Sequence, residues 1–384
     1  MKRYPWVVLF LIAIFSAGAR SQSLPKEYVN RQLPMEHMSG LLRLLETIPI
    51  PTEGYMDHLT YDLKNQHLFL SAENNKKIVV VDMKAGKVIH ETTVGGNPRK
   101  PYFDAGSNRL WVDLGDNTVV AIDGTSFEVV KSIELTGGKD APGRDPDNAA
   151  FDAARGLYYV GVRTRTEGAK EASIEIVDTR AAKLVGSIKM DGQEPAAIAL
   201  DPVGHRIYAG MGDIVNGESV VKVVDTEKRA IVAVWTITGG PQPHVAELDA
   251  AHHRLLLGSR LGGGHTVEPG KLVIMDTETG KPVQVVDAPG GGDEIFYDQS
   301  SGRVYYSGAA GNLAVFHEDD ANHFRLLGKV PTGAIAKSGI WIPELKRYYA
   351  AVPKHLVELM PTTQYNYRDW ITEEAHLMVF EALP

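Results

Sequence analysis

A short pattern recurs seven times in this chain, and it restricts the fold more than any other feature. A polar or Pro/Gly stretch precedes three or four apolar residues, an Asp and a tight polar turn. Arg or His then leads into a second apolar run. The copies read HLTYDLKNQHLFLS, KPYFDAGSNRLWVD, NAAFDAARGLYYVG, AIALDPVGHRIYAG, VAELDAAHHRLLLG, EIFYDQSSGRVYYSG and GIWIPELKRYYAAV. Their anchors are Asp62, Asp104, Asp152, Asp201, Asp249, Asp298 and Pro343, spaced by 42, 48, 49, 48, 49 and 45 residues. A period in the forties with β-branched and aromatic runs suits a propeller of four-stranded blades. The apolar spacing of a helical solenoid is missing. Two more apolar runs follow each pair, such as KIVVVD and VIHETTV in the first repeat. The anchor aspartates are expected to cap turns, because an Asp side chain accepts bonds from backbone N–H groups just ahead of it.

The repeats also predict how the ring closes. The last repeat offers strands near 339–352 and at 376–382 and then runs out at Pro384. An unassigned apolar segment, LLRLLETIPI at 41–50, lies before the first repeat. It reads as the missing outer strand of blade seven, which removes an exposed edge. The expected fold is therefore all-β: a seven-bladed β-propeller over 41–384, closed by an N-terminal strand. Residues 20–40 are read as a linker.

Residues 1–19 read as a secretory signal peptide. Lys2 and Arg3 precede an apolar run from Trp6 to Phe15, and Ala17-Gly18-Ala19 supplies small residues for cleavage. That run falls short of the roughly 20 residues a membrane-spanning helix needs. The expected location is periplasmic or secreted, with no membrane span after cleavage. Cysteine is absent, which excludes disulfides, thiolate metal sites and cysteine nucleophiles. The net charge of -8 disfavours nucleic acid as a partner.

The VD-T-x-x-x-K turns and evenly spaced anchors resemble the YVTN-type, WD40-like propeller repeat family, which includes exported bacterial members. The segment PAAIALDP at 195–202 comes near that family's P-x-x-[IVL]-A-[IVL]-[ST]-P-D signature, and the other repeats depart from it. The resemblance implies blades and no particular chemistry.

Candidate chemistry lies where the inner strands begin, at one mouth of the central channel. Counting back from the anchors, Asp57, Arg99, Asp147, His244 and Asp293 fall at one position. His58, Lys100, Asn148 and Glu294 fall at the next, while Glu194 and Lys337 stand slightly upstream of this register. The loops between second and third strands add Arg163 and Arg260, and longer loops contain Gly262-Gly263-Gly264 and the 353–375 insertion with Tyr365, Tyr367, Arg368 and Trp370. Such a ring suits a small polar ligand or a protein partner on a monomeric binding module. The alternative is a metal-dependent lactonase or other hydrolase. Calcium or zinc would then be held by His58, Asn148, His244 and Glu294, with His58 or His244 as base. Mutual compensation, as of Lys100 by Glu294, is the simplest role for these charges. No motif of a zinc protease, serine hydrolase or dinucleotide-binding enzyme is found. His252-His253 reads as solvated surface on the opposite face.

Overall fold

The computed structural model describes residues 40–212, 219–260, 269–354 and 374–384. The expected signal, most of the linker, the triple glycine and the aromatics of the blade-seven insertion lie outside the described residues. Among the described residues, twenty-eight strands form seven antiparallel four-stranded sheets. Strand β1 (Leu42–Pro49) precedes blade one, which is β2 (Met56–Asp62), β3 (His67–Ala72), β4 (Lys77–Asp82) and β5 (Lys87–Thr93). Blade two is β6 (Pro98–Asp104), β7 (Arg109–Leu114), β8 (Thr118–Asp123) and β9 (Val129–Glu134). Blade three is β10 (Arg144–Asp152), β11 (Leu157–Thr164), β12 (Ser173–Asp178) and β13 (Lys183–Lys189). Blade four is β14 (Pro195–Asp201), β15 (Arg206–Met211), β16 (Ser219–Asp225) and β17 (Ala230–Ile237). Blade five is β18 (Pro243–Asp249), β19 (Arg254–Ser259), β20 (Gly270–Asp276) and β21 (Pro282–Ala288). Blade six is β22 (Gly292–Asp298), β23 (Arg303–Gly308), β24 (Asn312–Asp320) and β25 (His323–Pro331). Blade seven is β26 (Ser338–Ile342), β27 (Arg347–Val352) and β28 (His376–Ala382), completed by β1.

The expected closure is present. Strand β1 runs antiparallel to β28 from Leu42 opposite Ala382 to Pro49 opposite His376. Ile50 N–H donates to Ala375 O at 2.8 Å, and Leu383 N–H to Leu41 O at 2.9 Å, so both ends of the pairing are tied.

The apolar runs fill the gaps between blades. There are seven buried clusters, one at each interface between neighbouring blades. The closing interface joins Leu70 and Val79 of blade one to Ile340, Tyr349 and Leu377 of blade seven, with Ile48 of β1 beside them. Second and third strands are covered on both faces, which is why they read as continuous apolar runs.

Six anchors cap turns as expected: Asp62, for example, accepts from Lys64 N–H and Asn65 N–H at 3.0 and 3.2 Å, and Asp201 from Gly204 N–H at 2.7 Å. The seventh anchor needs correction. Strand β26 ends at Ile342, opposite Arg347, just as β2 ends at Asp62 opposite His67. The equivalent of Asp62 is thus Ile342, not Pro343. The backbone agrees. A left-handed residue precedes each second strand: Gln66, Asn108, Gly156, His205, His253, Gly302 and Lys346. Only Ile342 stands four residues before Lys346, as Asp62 does before Gln66.

Six inner strands, all but β26, carry a register shift at the channel mouth, between Met56 and Leu59 in β2 and between Gly292 and Glu294 in β22. Pro98, Pro146, Pro195 and Pro243 open four of these shifts. Proline has no N–H to give the ladder and is tolerated at such irregularities. A bulge re-aims side chains, so two consecutive residues per strand reach the channel where an even pleat would send one.

Candidate functional site

The corrected register brings Lys337 into line with Asp57, Arg99, Asp147, His244 and Asp293, five residues before the anchor. These form the first tier of the mouth, around a cavity of about 250 Å³ that Tyr55, Glu73, Arg163, Arg165 and Arg260 also line. Blade four contributes Ala196 at this position, and Glu194 reaches in from two residues upstream.

Asp293 holds one side of the cavity. It is buried, and its carboxylate takes Lys337 Nζ at 2.5 Å, His244 Nε2 at 3.2 Å and the Arg260 guanidinium. Burial alone would raise its pKa, but Lys337 and Arg260 hold it well below the usual carboxylate range. Across the cavity, Arg163 contacts Asp145 at 2.8 Å, Asp147 at 2.9 Å and Glu194 at 3.1 Å. Arg99 lies 2.6 Å from Glu73, 3.6 Å from Asp145 and 3.7 Å from Asp57. Burial opposes ionisation of Asp147, and Arg163 and Arg99 overcome it.

The second tier is smaller. Glu294 accepts Lys100 Nζ at 2.9 Å and bonds the His58 imidazole, so the expected compensation of Lys100 by Glu294 is observed. Lys100 Nζ is also 3.1 Å from His58 Nδ1. Burial and Lys100 push the His58 pKa down, yet Glu294 and Asp57 outweigh them and leave it raised. His244 goes the other way. Burial and Arg260 lower it more than Asp293 raises it. The two histidines are therefore pushed in opposite directions, His58 toward holding its proton and His244 toward the neutral ring.

Below these tiers sit two acids the sequence reading passed over. Burial pushes Glu247 up to about 8, against the pull of Lys100. Asp113 is fully buried and is pushed up to about 7 by burial. Its Oδ1 accepts Tyr158 O–H at 2.8 Å and Lys100 N–H at 3.1 Å, while its Oδ2 has no partner. An unpartnered buried oxygen suits a carboxyl that keeps its proton. Glu73 and Asp145 were missed as well. Asp145 occupies the position of Glu194, seven residues before the anchor, which is the signal that could have found it.

Of the four residues singled out for a metal, His58 and Glu294 meet with Lys100 between them, and His244 stands apart with Asp293. The Asn148 amide donates to Ala196 O at 2.7 Å. A different trio at the mouth, Asp147, Glu194 and His244, brings three ligand atoms within 4.8 Å of one another. Arg163 pairs with both of its carboxylates. On the opposite face His252 is half-exposed, and its Nδ1 lies 2.7 Å from Asp249 and 2.9 Å from Glu318. His252 and His253 are exposed, as expected, and two buried carboxylates hold the His252 imidazole at that surface.

No family model matches this chain, and no curated protein does. Solved structures match its shape. A chain of the Kuenenia stuttgartiensis hydrazine synthase is 17% identical with a TM-score of 0.65, covering 79% of this chain and 95% of its own. A chain of the mitotic checkpoint complex is 16% identical with a TM-score of 0.65, covering 98% and 100%. Likeness at this identity establishes a shared seven-bladed propeller and leaves function to the site. Among the described residues, no helix is long and apolar enough to cross a membrane.

Proposed function

We propose that this chain is an exported binding module that recognises a small polar ligand at the mouth of its central channel. One observation carries this reading. Charged side chains from six blades converge on a single cavity of about 250 Å³, with their partners already in place. Preorganised polar groups around an open space favour binding, because little side-chain ordering remains to be done when a ligand enters. A protein partner could approach the same face, as propellers often bind proteins; one propeller similar in shape belongs to the mitotic checkpoint complex. The cavity favours the small ligand.

The test is a thermal-shift and calorimetric screen of small polar compounds against the full chain, repeated with His244→Gln and Lys337→Met. Hits that weaken at least tenfold in both variants are expected. Hits indifferent to both would overturn the assignment of the mouth. Export is checked on protein recovered from its native host, where a mature N-terminus at Arg20 is expected and retention of residues 1–19 would refute cleavage.

A metal-dependent hydrolase is the second reading, and Asp147, Glu194 and His244 favour it through their closeness. A divalent ion there would polarise a carbonyl or activate water. The neutral His244 ring is in the right state to ligate. Elemental analysis after dialysis without chelator decides: a stoichiometric metal lost in His244→Gln supports the enzyme, and none regained on adding zinc or calcium removes it.

A further inference from the structure

A second hollow of about 590 Å³ opens on the same face over blade two. Its rim takes Lys76 from the β3–β4 turn, Lys139 from the linker into blade three, and Arg165 from the loop after β11. Arg99 and Arg165 line both this trough and the mouth cavity, so the two spaces adjoin at these side chains.

Charge in the trough is layered. The cationic ends face outward: the Lys139 and Arg165 side chains are 53% and 58% exposed, and Lys76 is exposed too. The carboxylates beneath them, Asp116 and Asp145, are each 13% exposed. Asp140 is the acidic residue that stands on the rim. Asp145 faces three guanidinium groups, those of Arg99 at 3.6 Å, Arg163 at 2.8 Å and Arg165 at 2.7 Å. Arg99 and Arg163 have other carboxylates, whereas Arg165 shares only this one among the described residues. Lys76 makes no ion pair among the described residues, and the buried Nε of Arg99 has no partner. Cations that outnumber the accessible acids, on a protein of overall negative charge, mark a place for an incoming oxyanion.

We infer that the trough seats an anionic group, a phosphate or a carboxylate, of the ligand whose remainder occupies the channel mouth. This rests on the mouth being a binding site. Such a group would give Arg165, whose one carboxylate among the described residues is Asp145, a second negative partner, with Lys76 and Lys139 closing on it from two other loops. Three loops from blades one to three would then be tied together by one ligand.

The test uses the full chain with inorganic phosphate and with citrate, at constant ionic strength made up with chloride. Calorimetry and melting temperature are followed for the wild type, Lys76→Ala/Lys139→Ala, Arg165→Ala, and the mouth variant His244→Gln/Lys337→Met. Saturable binding is expected, weakened at least tenfold in both trough variants. Preference for phosphate or for citrate tells a phosphate ester from a carboxylate. Equal affinity in wild type and both trough variants, or no saturation beyond chloride, overturns the trough. Binding lost only in the mouth variant overturns the trough and keeps the mouth. Binding that needs the trough residues and ignores the mouth variant is the result expected of a free anion, and the mouth reading then stands or falls on its own ligand screen with His244→Gln and Lys337→Met. Melting profiles without ligand show whether each variant is folded.

Discussion

Asp113 is a single carboxyl whose surroundings set a pH dependence for the whole protein. Unfolded, it titrates near pH 4; folded, it is pushed up to about 7. Between those values the folded state binds more protons than the unfolded state, so this group makes stability fall as pH rises, levelling off above the folded pKa. Asp113→Asn should remove its share of the fall. Urea midpoints at pH 4.5 and pH 8 test this: the variant's drop should be smaller than the wild type's, and an equal drop would rule the role out. Asp293 behaves oppositely, since Lys337 and Arg260 keep it ionised far into acid. Removing one member of a buried ion cluster typically costs about 3–5 kcal/mol, because the partners stay buried without compensation. Asp293→Ala should therefore lower the unfolding free energy by about that amount, and a change under about 1 kcal/mol in a denaturant titration would show that water compensates Lys337 and Arg260 instead.

At the scale of strands, the repeat was plainly legible because each anchor aspartate does a local job that leaves a local trace. It accepts backbone N–H groups two and three residues ahead, so sequence distance alone reveals it. Ile342 escaped for the same reason. Blade seven makes its turn without an Asp, and the neighbouring Pro343 drew attention one place too far. That single step hid the alignment of Lys337 with Asp57 and Asp293. The bulges at the channel mouth were also illegible, since a register shift is a property of pairing and not of either strand. Without them an even pleat would alternate, and the joint arrival of Asp57 and His58 could be noted by position but not explained. Glu73 and Asp113 come from other strands and turns, where no repeat position flagged them. Strand β1 makes its own prediction here. Ile48 is fully buried in the closing interface. Ile48→Ala should cost about 2–5 kcal/mol, similar to truncations in the cores between other blades. A much smaller loss would mean that β1 frays from β28 in solution.

For the molecule as a whole, seven interfaces of similar make-up share the load, and no blade has a core of its own. Each sheet covers one neighbour and is covered by the other, so the ring has no first or last blade once it is closed. This suits a binding module, because the mouth is a place where all blades meet and none needs to move. It also explains why the fold reveals so little about the ligand. Interfaces built from Val, Ile, Leu and Tyr are generic, while the distinguishing chemistry is confined to a few positions at the starts of inner strands and in the loops beside them.

The pairing of β1 with β28 also has a meaning in time. Arg43 and Glu381, which form an ion pair across it, are 338 residues apart in the chain. Strand β1 must wait for β28, and every other blade can be assembled before the ring is sealed. Loop closure over such a distance is slow and comes late, and until then the faces of blades one and seven lie open. Because Leu41 and Leu383 are already hydrogen-bonded neighbours, joining the two ends there and cutting the chain in the exposed link at 238–239, between blades four and five, gives a permutant with the same contacts and every blade contiguous in sequence. In it β1 follows β28 directly, and the seal becomes a local hairpin. Refolding of that permutant from urea should be faster than that of the parent with a similar final stability, and equal rates would place the slow step elsewhere in the ring.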